Sequence, residues 1–162
     1  MNDSFILRDR KWRETNERVT LSSYAMLSEE SKGRIKKEDQ DPFRTVFERD
    51  RDRIIHSKTF RRLKHKTQVF INPDGDHFIT RMTHTLNVTQ IGRSIAKTLG
   101  LNPDLTEAIC LGHDVGHSPF GHTGEEVLND MLDGGWSHSE NSVKMLSIIE
   151  PLNLTKETIN GI

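Results

Sequence analysis

Apolar side chains along this chain recur mainly at helical spacing. His84, Val88, Ile91 and Ile95 share one side at a 3.6-residue period, which predicts a helix from about Thr80 to Leu99 with Gly100 as its stop. Asn102-Pro103 restarts the chain as N-cap and first helical residue. Leu105, Ile109 and His113 follow at i+4 steps, so His113 points the same way as the apolar stripe. Upstream, Asp41-Pro42 predicts a helix start. Phe43, Phe47, Ile54, Phe60 and Leu63 form its stripe through Arg62. Between them Arg44, Arg49, Arg51, Arg53, Arg61 and Arg62 interleave with Glu48, Asp50 and Asp52, as on a salt-bridged helix surface.

Thr67 to Ile71, the turn Asn72-Pro73-Asp74-Gly75 and Asp76 to Ile79 predict one small β-hairpin near residues 67–79. Thr123-Gly124-Glu125-Glu126 reads as a capping box, with Val127, Leu128, Met131 and Leu132 as the buried side of its helix. After Gly134-Gly135, Ser137-His138-Ser139-Glu140 is a second capping box, followed by Val143, Leu146 and Ile149 and stopped by Pro151. Thr155 to Ile159 begins another helix. Residues 1–40 are polar and weakly patterned. Trp12, Tyr24, Met26 and Leu27 are available to dock on a neighbouring surface, and Ser28 to Gln40 reads as a linker or surface loop. The expected organisation is a polar segment, 1–40, followed by a mainly α domain, 41–162.

Composition narrows this picture. The chain has 162 residues, 33% hydrophobic and 29% charged, which suits one domain with a thin core. A net charge of −1 gives no global electrostatic case for nucleic acid. The run Arg61-Arg62-Leu63-Lys64-His65-Lys66 offers a local patch for phosphates, or, more plainly, a solvated helix face. Cys110 is the single cysteine, so no internal disulfide forms and a cytoplasmic setting is expected. The N-terminus lacks a signal-peptide run, and no stretch approaches the roughly 18 apolar residues of a membrane span.

The chemistry concentrates between Leu111 and His122, where three of the eight histidines fall. His113 and Asp114 are adjacent at a helix end, and His84 adds a second nitrogen from the preceding helix. Two imidazoles and a carboxylate suit a divalent ion, either Mg²⁺ or a first-row ion such as Mn²⁺, Fe²⁺ or Zn²⁺. His117 and His122 flank Ser118-Pro119-Phe120-Gly121, a segment that cannot be regular helix, and are expected to project into the space before the metal. Glu125, three residues after His122, is placed either to fix its tautomer or simply to serve as a first-turn acid. His138 is a cap residue or a further acid or phosphate ligand.

Arg81-x-x-His84, His113-Asp114 and His117-x-Pro119-Phe120-Gly121-His122 resemble the HD-domain superfamily of metal-dependent phosphohydrolases. The runs Arg51 to Leu63, Lys66 to Phe70, Arg81 to Leu86 and Leu105 to Ile109 are similar to bacterial deoxyguanosinetriphosphate triphosphohydrolase-like proteins. The likeness runs from about residue 43 to the end. It implies a helical HD fold and hydrolysis of a deoxynucleoside triphosphate (dNTP) to a deoxynucleoside and triphosphate. It makes His84, His113 and Asp114 metal ligands, and His122 and Glu125 the catalytic histidine and acid. His138 corresponds to a histidine near the phosphates, and Gln68 and Arg81 to positions that contact the nucleotide; His117 lines the pocket. Family members are longer and carry a last metal-binding aspartate beyond the position of Ile162, so the likeness implies a shortened relative with an incomplete domain. Asp130 and Asp133 lack that aspartate's context and read as surface residues.

Four readings compete. One is an active triphosphohydrolase completed by another polypeptide or a homo-oligomer. The second is an inactive relative that binds metal or nucleotide. The third is another HD nucleotide phosphohydrolase, against which the stretch from Arg51 to Phe70 argues. The last is a nucleic-acid-binding module using the basic run.

Overall fold

The computed structural model describes residues 7–66 and 80–162. The predicted hairpin at 67–79, and Gln68 with it, lies outside the described residues. Among the described residues the fold is mainly α. It contains eight α-helices and one isolated antiparallel bridge, Arg34 to Thr155, with no strand.

The N-terminal segment holds a helix that apolar spacing did not predict, α1 (Arg10–Thr20). Charge organises it. Asp9 caps it by accepting from the Trp12 N–H at 2.9 Å, Arg10 pairs with Glu14 at 2.7 Å, Arg13 reaches Glu48 at 2.7 Å, and Arg18 pairs with Glu29. The Glu17 carboxylate accepts from the Ser28 backbone and hydroxyl, each at 2.7 Å. Tyr24, expected to dock, is 91% exposed, while Met26 and Leu27 are half-buried.

The helix expected from Asp41 to Arg62 starts later and is broken. Asp41 closes a turn by accepting from the Phe43 and Arg44 N–H groups at 2.8 Å each. Thr45 and Glu48 then form the capping box of α2 (Val46–His56). Ser57, extended at ψ 156°, separates α2 from α3 (Lys58–Arg62). Phe43 stays exposed, whereas Phe47, Ile54, Phe60 and Leu63 are buried.

The helix α4 (Arg81–Thr98) has the expected bounds but buries a different face: Arg81, Thr85, Thr89 and Ala96, with Ile91 62% and Ile95 54% exposed. The Thr85 hydroxyl donates to the Arg81 carbonyl at 2.9 Å and the Thr89 hydroxyl to the Thr85 carbonyl at 2.7 Å. These back-bonds satisfy the hydroxyls, so the threonines can be buried. The next helix, α5 (Pro103–Gly112), is capped by Asn102 and packs against both α2 and α4.

The helix α6 (Gly121–Met131) begins two residues before the expected capping box, and its cap position, Phe120, has no side-chain bond. Its expected buried side is largely open, with Val127, Met131 and Leu132 all exposed. Ser137 does cap α7 (His138–Lys144), which runs on as a π turn over Met145–Ile149 and ends before Pro151. Leu146 from this turn is buried, but Ile149 is exposed. Thr155 caps α8 (Lys156–Gly161).

The core joins Ile54, Phe60 and Leu63 to Ala108, Leu111 and Val115, and to Leu146 and Leu154. Residue 115 belongs to this core, so apolar burial anchors the segment next to His113 and Asp114. A buried ionic knot ties the chain's ends to α2. Asp50, fully buried, accepts from the Thr155 N–H at 2.9 Å, the Thr155 hydroxyl at 2.6 Å and the Thr158 hydroxyl at 2.8 Å, and pairs with Arg34. Arg34 also donates to the Asn153 carbonyl at 2.6 Å.

Candidate active site

Between α5 and α6 the backbone leaves helical geometry, and side chains from elsewhere hold it. The Ser142 hydroxyl accepts from the Gly116 N–H and donates to the His113 carbonyl, both at 2.9 Å. Asn141 donates to the Gly116 carbonyl at 2.6 Å. The Lys66 amine donates to the Val115 carbonyl at 3.3 Å and the His117 carbonyl at 2.8 Å. A Cβ on Gly116 would lie 2.2 Å from the Ser142 nitrogen, so only glycine allows α7 this close. The segment then turns through Phe120, held in the left-handed region at φ 66°, a strain of about 1–3 kcal/mol for a non-glycine residue.

This backbone presents two groups of side chains. In the first, His84, His113 and Asp114 each bring a ligand atom to within 4.8 Å of the others. The His113 Nδ1–H donates to the Cys110 carbonyl at 2.7 Å, which leaves Nε2 as its lone-pair nitrogen. Asp114 is 2% exposed and meets Arg81 at 3.3 Å. Burial holds His84 below the ordinary histidine range, against the pull of Asp114. Two imidazoles and a buried carboxylate are a fitting donor set for a divalent ion.

In the second group, His117, His122, Glu125 and His138 lie equally close together. One Glu125 oxygen accepts from the His138 backbone N–H at 2.9 Å, and its carboxylate meets the His138 Nδ1 at 2.9 Å and the His122 Nδ1 at 3.2 Å. Burial would raise the Glu125 pKa, but these hydrogen bonds, His138 foremost, bring it down to about 2. The carboxylate is therefore ionised across neutral pH. His117 stacks on His138 with ring centres 4.8 Å apart. Burial, then Arg81, pushes His117 down to about 4. Its ring faces both groups electrically, since Asp114 partly offsets this shift.

The structure thus brings together every candidate site residue among those described. Glu125, weighed equally as an orienting partner or a first-turn acid, makes the contact to His122, and His138 shares it. Asp130 and Asp133 are exposed. Three residues that hold the site had no assigned role in the sequence reading: Lys66, Asn141 and Ser142. Lys66 was legible as part of a basic run and of the run Lys66 to Phe70, with no role attached. It is half-buried, and burial, then nearby Arg62, depress its pKa.

A family model described as HD domain matches residues 81–161. The chain belongs to the HD domain family. This HD chain is 62% identical over 146 residues to the deoxyguanosinetriphosphate triphosphohydrolase-like protein of Caldanaerobacter subterraneus subsp. tengcongensis, covering 88% of this chain and 43% of that relative. It is 59% identical over 157 residues to the protein of the same description from Clostridium tetani, covering 94% and 45%. The corresponding values for Geobacter metallireducens are 50% over 157 residues, 91% and 41%. The HD chain therefore spans a little under half the length of the curated relatives it matches. No helix among the described residues is long and apolar enough to cross a membrane.

Proposed function

We propose that this HD chain carries the metal-dependent centre of a deoxynucleoside triphosphate triphosphohydrolase, which converts dNTP and water to a deoxynucleoside and triphosphate. The observation that carries the reading is the junction at residues 113–122. The reading is supported by His84, His113 and Asp114, a donor set that suits a divalent ion, near the group of His117, His122, Glu125 and His138, with Arg81 paired to Asp114. In this reading residues 41–162 are the N-terminal part of the phosphohydrolase domain, behind the polar segment 1–40, in a cytoplasmic protein.

His84, His113 and Asp114 would hold the ion, whose chemistry is to polarise a phosphoryl oxygen or orient water. The chain's other residues handle charge and the proton. The deoxynucleoside is a poor leaving group, because its departing 5′-oxygen must gain a proton. His122, side-chain exposure 74%, is open to substrate and held by Glu125, so it is the proposed acid. Arg81 and His138 would bind phosphoryl oxygens as donors, and His117 would line the pocket. Gln68 is assigned to the nucleotide by resemblance alone. The longer relatives leave room for further residues from a longer or second polypeptide, including a second copy.

Separate incubation with each dNTP plus Mn²⁺ or Mg²⁺, with ion-exchange analysis of the products, tests this. Equimolar deoxynucleoside and triphosphate is the expected result. Deoxynucleoside monophosphate and diphosphate would sink it. A second reading, metal and nucleotide binding without turnover, draws on the three-donor metal set among the described residues. Metal uptake with no product would mark it.

A further inference from the structure

The second histidine group has more donors than acid work requires. Three imidazoles and one carboxylate, from His117, His122, His138 and Glu125, place ligand atoms within 4.8 Å of one another. A tetrahedral ion with bonds of about 2.0–2.2 Å sets its ligand atoms roughly 3.3–3.6 Å apart. The Glu125 carboxylate already lies 2.9 Å from the His138 Nδ1 and 3.2 Å from the His122 Nδ1.

An independent observation comes from His117. It is 2% exposed, and its Nε2 has no hydrogen-bond partner among the described residues. Its Nδ1–H donates to the Ser118 carbonyl at 3.3 Å, which makes Nε2 a buried lone pair. A buried acceptor without a donor costs free energy unless something fills the place. Among the described residues the Lys66 amine does not fill it, being committed to the carbonyls of Val115 and His117.

We propose that His117, His122, His138 and Glu125 form a second metal site, selective for a borderline transition ion such as Zn²⁺ and distinct from the site at His84, His113 and Asp114. The donor set of three nitrogens and one oxygen suits Zn²⁺ and disfavours Mg²⁺, which prefers oxygen. The Glu125 carboxylate is oriented by the His138 backbone N–H, a supporting bond that does not compete for the imidazoles. His122 lies at the solvent edge, so the ion has a way in and one ligand able to close on it. Binding displaces the protons now shared between Glu125 and the two imidazoles. It would also withdraw His122 and Glu125 from acid chemistry, so a filled second site switches the hydrolytic centre off. The inhibitory part rests on the proposed function; the binding part does not.

The test is equilibrium dialysis of the whole chain against Zn²⁺ or Co²⁺, with metal analysis and the visible spectrum of the Co²⁺ form. Two ions per chain are expected, one giving the intense absorption of tetrahedral cobalt. His122→Ala, at an exposed position, should keep one ion and lose that absorption, and Glu125→Gln should do the same. His113→Ala should keep the tetrahedral ion and lose the other. One ion in the wild type, or a tetrahedral spectrum unchanged in both His122→Ala and Glu125→Gln, would overturn the proposal. Triphosphate release with Mn²⁺ alone is measured in parallel. Release by a chain that takes only one ion would sink the second site and leave the proposed function standing. Two ions per chain in Zn²⁺ dialysis, with no release when Mn²⁺ alone is supplied, would do the reverse.

Discussion

Asp50 and His117 are both buried polar residues, and their surroundings differ in kind. Asp50 is saturated: a backbone N–H, two threonine hydroxyls and the Arg34 guanidinium meet its two oxygens. His117 has a ring nitrogen without a partner, beside an Arg81 whose Nε also lacks one among the described residues, and it precedes a strained Phe120. A saturated knot can only hold the chain together. An unsaturated one, kept in place by the side chains of Lys66, Asn141 and Ser142, has capacity left for a ligand. The fold therefore separates stability, around Asp50, from chemistry, around His113 to His138.

The strongest way to break this contrast is at Asp114. Asp114→Ala should reduce triphosphate release to background and abolish the calorimetric heat of Mn²⁺ binding at the first group, with the helical circular dichroism retained. Next, His122→Ala and Glu125→Gln should each lower kcat by about 10²–10⁴-fold, the usual worth of a positioned acid, while Mn²⁺ affinity at the first group stays intact. A parallel loss of Mn²⁺ binding would mean that the two groups are one unit.

On the saturated side the readout changes from rate to stability. Asp50→Ala removes the buried partner of Arg34, Thr155 and Thr158, leaving Arg34 only its bridge to Glu38 among the described residues, and should cost about 3–5 kcal/mol in urea unfolding, with kcat per folded molecule unchanged. A fall in kcat at constant folding would erase the division between the two regions.

The smallest effect is at Glu150, which caps α3 by accepting from the Lys58 and Thr59 N–H groups at 2.8 and 2.9 Å. Burial would raise its pKa, but those backbone bonds hold it below the ordinary value of 4.5. A depressed carboxylate stabilises the fold above its ordinary pKa and loses that contribution as pH falls below it. Wild type should exceed Glu150→Gln by about 1 kcal/mol at neutral pH, and the two unfolding curves should converge as the solution is acidified.

The contrast also explains what could be read from the sequence. The grouping of His84, His113 and Asp114 was legible because His113-Asp114 sits at a glycine-ended helix and His84 falls on the preceding one. The caps Asn102 and Ser137 were legible because a hydroxyl or amide before a helix has one main use. α1 was hidden because ion pairs, rather than an apolar stripe, organise it. The buried face of α4 was misjudged because Thr85 and Thr89 satisfy their own hydroxyls and enter the interior, while Ile91 and Ile95 stay outside. The start of α6 was misplaced because Phe120 takes a left-handed conformation, which no capping pattern announces. The sharing of Glu125 between His122 and His138 depends on α6 and α7 meeting, a tertiary fact with no signature in spacing.

In the proposed reaction water attacks phosphorus at this centre and the 5′-oxygen leaves with a proton. Turnover of a dNTP with Mn²⁺ in heavy-oxygen water, followed by mass spectrometry of both products, tests it most directly. The expected result is heavy oxygen in the triphosphate and an unlabelled deoxynucleoside. Label in the deoxynucleoside, or label in a deoxynucleoside monophosphate released with diphosphate, would contradict it.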